Sequence, residues 1–297
     1  MKFKYTALCS LLLLVGCLLS SCVREDLSGC YSKNLLLMSY RGDGKAEIFP
    51  AKICRVEMYV FDAENNCVDR NVLPQEQVEK RTVELPALDP GEYCIVCLGN
   101  THHTKVNNIA SCRFDEMVFA AEDYLTGEGP VSGNDSLYYA SVNYTVTGDD
   151  QIRTAEFASS HYDVLVEVAG IVGTDARAKV LPAIEICGVS PCTDFENRAC
   201  GEATDYLLET THEAGKGLLT ARANIMRHSQ HENVNVCVRN ASGEILAEVN
   251  LADFLTANPE IDCSMQEVLI PIHFEFKAGE VTISVPSWWN KPVKPEF

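Results

Sequence analysis

A two-residue alternation of apolar and polar side chains recurs along this chain and limits what it can fold into. Tyr162, Val164, Val166 and Val168 alternate with Asp163 and Glu167, and Val234, Val236 and Val238 alternate with Asn235 and Arg239. Ile270, Ile272, Phe274 and Phe276 alternate with His273, Glu275 and Lys277. In residues 54–61, Cys54, Val56, Met58 and Val60 share one face while Arg55 and Glu57 lie on the other. Successive side chains of a strand point to opposite faces, so each run reads as a strand with one buried side. Polar turns separate the runs. Asn240-Ala241-Ser242-Gly243 leads into Ile245, Ala247, Val249 and Leu251, and Lys277-Ala278-Gly279-Glu280 leads into Val281, Ile283 and Val285.

Helical spacing is scarce. Phe114, Met117, Val118 and Ala121 predict a short helix within 114–124, and 251–257 predicts another, stopped by Asn258-Pro259. Neither is placed to build βαβ units, so the expected class is mainly β, in two consecutive packed-sheet units. Gly148-Asp149-Asp150 breaks the pattern and puts the division near 148–158. The expected segments are residues 34–152 and 153–297.

The amino terminus is of another kind. Lys2 and Lys4 precede the apolar run Leu11-Leu12-Leu13-Leu14-Val15, followed by Leu19-Ser20-Ser21-Cys22. A short basic segment, an apolar stretch too short for a comfortable span and small residues before a cysteine read as a lipoprotein signal. Residues 1–21 are then removed and Cys22 is acylated, leaving 22–33 as a lipidated tether. Cys17, preceded by Leu14-Val15-Gly16, is the weaker alternative, because cleavage there leaves Leu18-Leu19 on the mature protein. Each buried acyl CH₂ contributes about 0.8 kcal/mol, so several chains on one residue hold firmly. Loss of the two signal lysines takes the formal charge from −18 to −20, which opposes nucleic acid and anionic lipid surfaces as partners.

Fourteen cysteines are many for an exported chain. Outside the signal and Cys22, eleven remain, an odd number; an oxidising compartment predicts some bridges, without fixing their connectivity. Cys94-Ile95-Val96-Cys97 has zinc-ribbon spacing, but it sits in an apolar strand where residues three apart face opposite ways. No metal or cofactor is expected. His102-His103, His228 and His231 read as loop or surface residues. No His-Glu-x-x-His, Gly-x-Ser-x-Gly, phosphate loop or dinucleotide fingerprint occurs, so the chain reads as a non-enzyme. The closing segment 286–295 is too proline-rich for a central strand. It is expected to form an edge or cap, with Trp288 and Trp289 covering the sandwich or meeting a partner.

Three stretches together carry a family resemblance. Cys22-Val23-Arg24-Glu25-Asp26-Leu27-Ser28-Gly29-Cys30, Val56-Glu57-Met58-Tyr59-Val60-Phe61-Asp62, and Leu88-Asp89-Pro90-Gly91-Glu92-Tyr93 with Gly99-Asn100 stand in that order. The set resembles the FimB/Mfa-type fimbrial anchor lipoproteins of Bacteroides-like bacteria, with 281–289 as their terminal strand with tryptophan. The resemblance implies two transthyretin-like β-sandwich domains. It also implies an accessory subunit that tethers a fimbrium to the outer membrane through Cys22, with fimbrial shaft or other subunits as partners and assembly by strand addition. Glu25 and Asp26 resemble an acidic surface-export signal, which implies a lipid-anchored, surface-exposed protein. The cysteine richness departs from the family. The alternative is a cell-surface glycan-binding lipoprotein that stacks sugars on Trp288, Trp289 or Tyr138-Tyr139.

Overall fold

The computed structural model describes residues 33–127, 129–171, 181–213, 215–227, 231–277 and 279–289. Twenty-one strands, β1–β21 in chain order, and four short helices make up this part of the chain, and the strands lie in five sheets. The fold is mainly β, as the alternation predicts.

The first half holds two sheets. One has the order β4-β1-β9, from β1 (Asn34–Ser39), β4 (Thr82–Glu84) and β9 (Gln151–Glu156). The other runs β10-β8-β5-β2-β3, from β2 (Val56–Phe61), β3 (Cys67–Val72), β5 (Gly91–Gly99), β8 (Tyr138–Val146) and β10 (Ala158–Ser159). Leu36, Met38 and Val83 from the first sheet and Val56, Met58, Val60, Ile95 and Cys97 from the second share one core. Phe49 in helix α1 (Phe49–Lys52) and Val78 in helix α2 (Gln75–Lys80) join that core.

The second half repeats the plan. A five-stranded sheet runs β16-β17-β11-β20-β21, from β11 (His161–Ala169), β16 (Thr210–Glu213), β17 (Leu218–Met226), β20 (Leu269–Lys277) and β21 (Glu280–Ser284). It shares a core with the sheet β15-β12-β18-β19, from β12 (Ala183–Val189), β15 (Thr204–Leu207), β18 (Asn235–Arg239) and β19 (Ile245–Asn250). Val164, Val166, Val168, Ile270, Ile272 and Phe274 face Ile184, Ile186, Val236 and Val238. In each half the opening strand is internal and takes a parallel partner from late in the same half: β1 pairs β9, and β11 pairs β20. At the end of β11, Gly170 (φ +81°) passes so close to Phe276 that a Cβ would stand 2.1 Å from its carbonyl oxygen, so only glycine fits.

The helix predicted at 251–257 is present with those limits, α4 (Leu251–Ala257), once α3 (Glu122–Thr126) is counted before it. Asn250 Oδ1 caps it, accepting from the amides of Ala252 (3.0 Å) and Asp253 (3.2 Å), while Leu251 and Phe254 enter the core. The helix predicted over 114–124 is absent. Residues 114–116 form a turn, β7 (Val118–Ala121) follows, and only Glu122–Thr126 is helical. Tertiary pairing overrides the spacing: β7 is held between β6 (Thr104–Asn107) and β13 (Cys192–Asp194).

That pairing joins the two halves. The fifth sheet, β14-β13-β7-β6, takes β6 and β7 from the first half and β13 and β14 (Ala199–Cys200) from the second. It covers the outer face of the β5–β2 sheet, where Tyr59, Phe61, Val96 and Leu98 form a second buried layer with Phe119, Leu137, Phe195 and Met226. Phe195, at the tip of the β13–β14 hairpin, is fully buried, with ring centroids 5.2 Å from Tyr59, 5.7 Å from Phe61, 6.1 Å from Phe119 and 6.2 Å from Phe114. All four contacts are edge-to-face, the arrangement that aromatic quadrupoles favour. The described residues from Lys33 onward accordingly group into one compact unit.

A polar seam joins the halves at a second place. The Glu267 carboxylate accepts from Lys52 Nζ (2.5 Å), from Tyr138 Oη (3.2 Å) and from Tyr40 Oη. Asp43 in turn accepts from the amides of Gln266 (2.8 Å) and Glu267 (3.1 Å). Burial opposes ionisation of Glu267, but the hydrogen bonds from Lys52 and Tyr40 outweigh it and hold the carboxyl below the usual carboxylate range. Burial pushes the Tyr40 hydroxyl well above the ordinary tyrosine range, and the Glu267 hydrogen bond adds to the shift.

None of the ten described cysteines is bonded to another, so the expected bridges are not seen among them. Cys97 faces the first-half core and Cys94 the aromatic layer, on opposite sides of β5.

Phe195→Ala removes the ring that fills the junction, and a buried Phe→Ala change costs about 3–5 kcal/mol. Urea unfolding of this variant should show that loss; a change under about 1 kcal/mol would contradict the role given to Phe195. The Glu267 contribution is complete above the unfolded glutamate value, about 4.3, and is lost as pH falls through the lower folded value. The melting temperature should therefore fall on acidification below about pH 4.3, and Glu267→Gln should make that fall shallower while lowering stability at neutral pH.

Candidate functional site

The residues that would carry attachment and assembly lie at three places: the start of the described chain, the uncovered sheet edges and the carboxy-terminal turn. Cys22 and the alternative Cys17 lie outside the described residues, as do Cys30, the acidic pair Glu25 and Asp26, and His228.

The chain enters the fold at Lys33 and is at once in β1. The Lys33 amide donates to Asp150 Oδ1 (2.7 Å), and its carbonyl accepts from the Gln151 amide (3.1 Å). Asn34 is buried; its carbonyl accepts from the Leu85 amide (2.8 Å) and its Oδ1 from Tyr144 Oη (3.0 Å). β1 is paired on both sides, with β9 in parallel register from Asn34 to Ser39 and with β4 from Leu35 to Leu37. A pull on Lys33 directed along β1 would load the hydrogen bonds of both ladders together in shear rather than one at a time. The Leu36 and Met38 side chains must also leave the core before β1 can slide.

Among the described residues, β3, β9, β19 and β21 are sheet edges five or six residues long. Each leaves one row of backbone donors and acceptors without a strand partner. Apolar side chains on them reach solvent: Val68 and Val72 on β3, Ile152 on β9, Ile245 and Leu246 on β19, and Val281 on β21. β15 is less open, since Val131 bridges to Tyr206 beside it. The register explains why Ile245, expected to face inward, is exposed: a bulge between Val238 and Arg239 shifts its pairing.

After β21 the chain turns through Pro286, whose carbonyl accepts from the Trp289 amide (3.0 Å). Trp289 packs against the second-half core, as a capping segment requires. Trp288 stays 40% exposed and stands edge-on to Trp289 at 6.1 Å. Its indole Nε1 donates to Glu167 Oε1 (3.0 Å), and Glu167 Oε2 lies 3.2 Å from His273 Nδ1. The other proposed stacking pair is not available. Tyr138 is 3% exposed and donates to Glu267, and the Tyr139 hydroxyl donates to the Phe195 carbonyl (2.7 Å). Both belong to the junction between the halves, which corrects the reading of Tyr138-Tyr139 as an exposed platform.

His102 sits near Cys54, with Nε2 3.7 Å from Sγ, and the His102 and His103 amides both donate to Asp135 Oδ2 (2.9 and 2.8 Å). Among the described residues no group of three or more His, Cys, Asp or Glu side chains could hold a metal ion. No helix among them is long and apolar enough to cross a membrane. Sequence reasoning missed Phe195 and Glu267. The only signal for Phe195 was a large aromatic beside the turn residue Asn197, and nothing marked Glu267.

No curated protein matches the chain. Solved structures share its fold at low identity. The fimbrial anchor protein Mfa2 from Porphyromonas gingivalis aligns with a TM-score of 0.66 at 16% identity, over 86% of this chain and 95% of that one. A candidate adhesin from Bacteroides ovatus aligns with a TM-score of 0.71 at 16% identity, over 90% of this chain and 96% of that one. A candidate polysaccharide-binding protein from Bacteroides thetaiotaomicron aligns with a TM-score of 0.66 at 13% identity, over 88% of this chain and the whole of that one. A family model matches residues 27–291, nearly all of the body described above, and the chain belongs to the family of fimbrillin-A associated anchor proteins Mfa1 and Mfa2.

Proposed function

We propose that the chain is the membrane-side accessory subunit of a fimbrium, held to the outer membrane by lipid on Cys22 and joined to the fibre by strand addition. The observation that carries this reading is the way the chain enters the fold. The tether leads directly into β1, an internal strand locked by Asn34, Tyr144 and two ladders. A lipid on Cys22 would stand twelve positions before that strand, so load from the membrane would reach the core by a short path. Charge agrees with a lipid anchor: a body at −20 once the signal and its two lysines are removed is repelled by anionic headgroups, so acyl chains rather than the protein surface would hold it there.

At the other end of the load path, a neighbouring subunit needs an uncompleted sheet. The edges β3, β9, β19 and β21 are available for main-chain hydrogen bonding with an incoming segment, with alternate side chains giving specificity. The body divides into two sandwich units, the chain crossing from one to the other between β10 and β11. The fifth sheet and the Glu267 seam make these units transmit force as one piece. Cell-surface display on the outer membrane follows from the anchor role and from the acidic pair at Glu25 and Asp26.

A second reading has one observation in its favour: Trp288 is a large aromatic left partly open, and a structural neighbour is described as a candidate polysaccharide-binding protein. Sugar stacking on Trp288 would make the chain a surface glycan binder.

Two experiments separate these readings. Cys22→Ala in the native cell should move fimbriae from the cell surface into the medium, while Cys17→Ala should leave them attached. Normal cell-bound fimbriae in Cys22→Ala would refute the anchor. Calorimetry against a broad saccharide panel should give no heat of binding with the wild-type chain; binding that vanishes in Trp288→Ala would establish the glycan reading in its place.

A further inference from the structure

The cysteines of this chain are not scattered. Cys192 and Cys200 are direct cross-strand partners in the β13–β14 hairpin. Cys67 and Cys112 are neighbours in another way: they flank the isolated antiparallel bridge between Asn66 and Arg113, and the Cys67 amide donates (2.8 Å) to the carbonyl of Cys112, itself a left-handed residue (φ +48°). Cys192 and Cys200, directly opposed in an antiparallel ladder, have Cα atoms about 4.5–5.5 Å apart, inside the roughly 4.4–6.8 Å span that a disulfide bridges, and the amide-to-carbonyl bond holds the Cys67 and Cys112 backbones side by side. A third contact, Cys187 Sγ to Cys237 Sγ at 3.8 Å, is built differently. Cys237 is opposite Glu185 and Cys187 opposite Asn235, so these two are diagonal neighbours. Diagonal residues stand about 7–8 Å apart, beyond what a bridge accepts without backbone movement.

We infer that, among the described cysteines, Cys67–Cys112 and Cys192–Cys200 are disulfide sites, and that they brace the two sides of the junction between the halves, one in each half. Cys67 and Cys112 both pack against the aromatic layer that surrounds Phe195, and Cys192 and Cys200 close the hairpin that carries Phe195 into it. One bridge thus fastens the wall of the box and the other fastens the plug. Each closure joins the two sulfurs of a pair and removes one hydrogen from each thiol. The two electrons and two protons pass to the disulfide of an exported thiol–disulfide oxidoreductase, which leaves as its dithiol. The oxidising compartment rests on the export reading given above; the pairing rests on the fold.

The test maps disulfides in the full chain from two sources. Protein taken from native cells under a thiol-alkylating reagent, digested without reduction, should yield the cross-linked peptides Cys67–Cys112 and Cys192–Cys200, with Cys187 and Cys237 alkylated. The reduced full chain exposed to oxidised glutathione should form the same two pairs. If the glutathione-treated chain pairs while the native protein is alkylated at all four positions, the export reading fails and the pairing stands. If the glutathione-treated chain leaves these four as thiols, or joins any of them to another cysteine, the pairing is overturned. As a second readout, reductant should lower the melting temperature of the oxidised chain by roughly 5–15 °C. The double variant Cys67→Ser, Cys200→Ser should melt with the reduced wild type and no longer respond to reductant; a reductant response equal to that of the wild type would also overturn the proposal.

Discussion

The whole body depends on burying both faces of one sheet. β2 and β5 present Val56, Met58, Val60, Ile95 and Cys97 to one side and Tyr59, Phe61, Val96 and Leu98 to the other. The first side is covered by the β4-β1-β9 sheet of the same half. The second has no cover of its own kind, and the aromatic rings there would stay in water without the fifth sheet and Phe195. Covering them removes several large apolar surfaces from solvent at once, at roughly 25 cal/mol per Å². Part of that cover, the β13–β14 hairpin with Phe195, belongs to the other half, so an apolar face of one sandwich helps fix the other in place.

How much of this could be read beforehand follows from how local each determinant is. The strands built on Tyr162 to Val168 and on Ile270 to Phe276 were legible because one face is core and the other solvent, which writes the period into the sequence. The helix at Leu251–Ala257 was legible because its cap and its stop, Asn250 and Asn258-Pro259, are beside it. The stretch from Phe114 to Tyr124 was misread because its apolar spacing satisfies a helix, while its fate was decided by Thr193 and Phe119 meeting across the β7–β13 pair. In residues 54–61, the departure from alternation at Tyr59 and Phe61 was the trace of the second buried face. It could have been read as a strand covered on both sides.

The candidate site divides in the same way. Trp289 was expected to cover the sandwich and does, since a proline-rich tail with tryptophan has few other places to bury its rings. Tyr138 and Tyr139 read as exposed aromatics able to stack sugars. In this protein the part of β8 that carries them lies against the second half, and each hydroxyl finds a partner contributed by it, Glu267 and the Phe195 carbonyl. Contacts between residues more than a hundred positions apart leave no local mark, and Glu267 with Tyr40 is such a contact.

The parallel pairing of β1 with β9 has a consequence in time as well as in space. Lys33 and Asp150, which meet at its start, are 117 residues apart, so the strand nearest the amino terminus cannot be locked on both sides until just over half the chain is present. Closing so long a loop is slow and makes topology, rather than local propensity, the rate-setting step. A chain that emerges amino terminus first therefore passes through a period in which β1 can pair with β4 while its β9 side stays vacant. During that period the vacant β9 side of this apolar strand is exposed to mispairing with other chains, which a factor that shields it until β9 arrives would prevent.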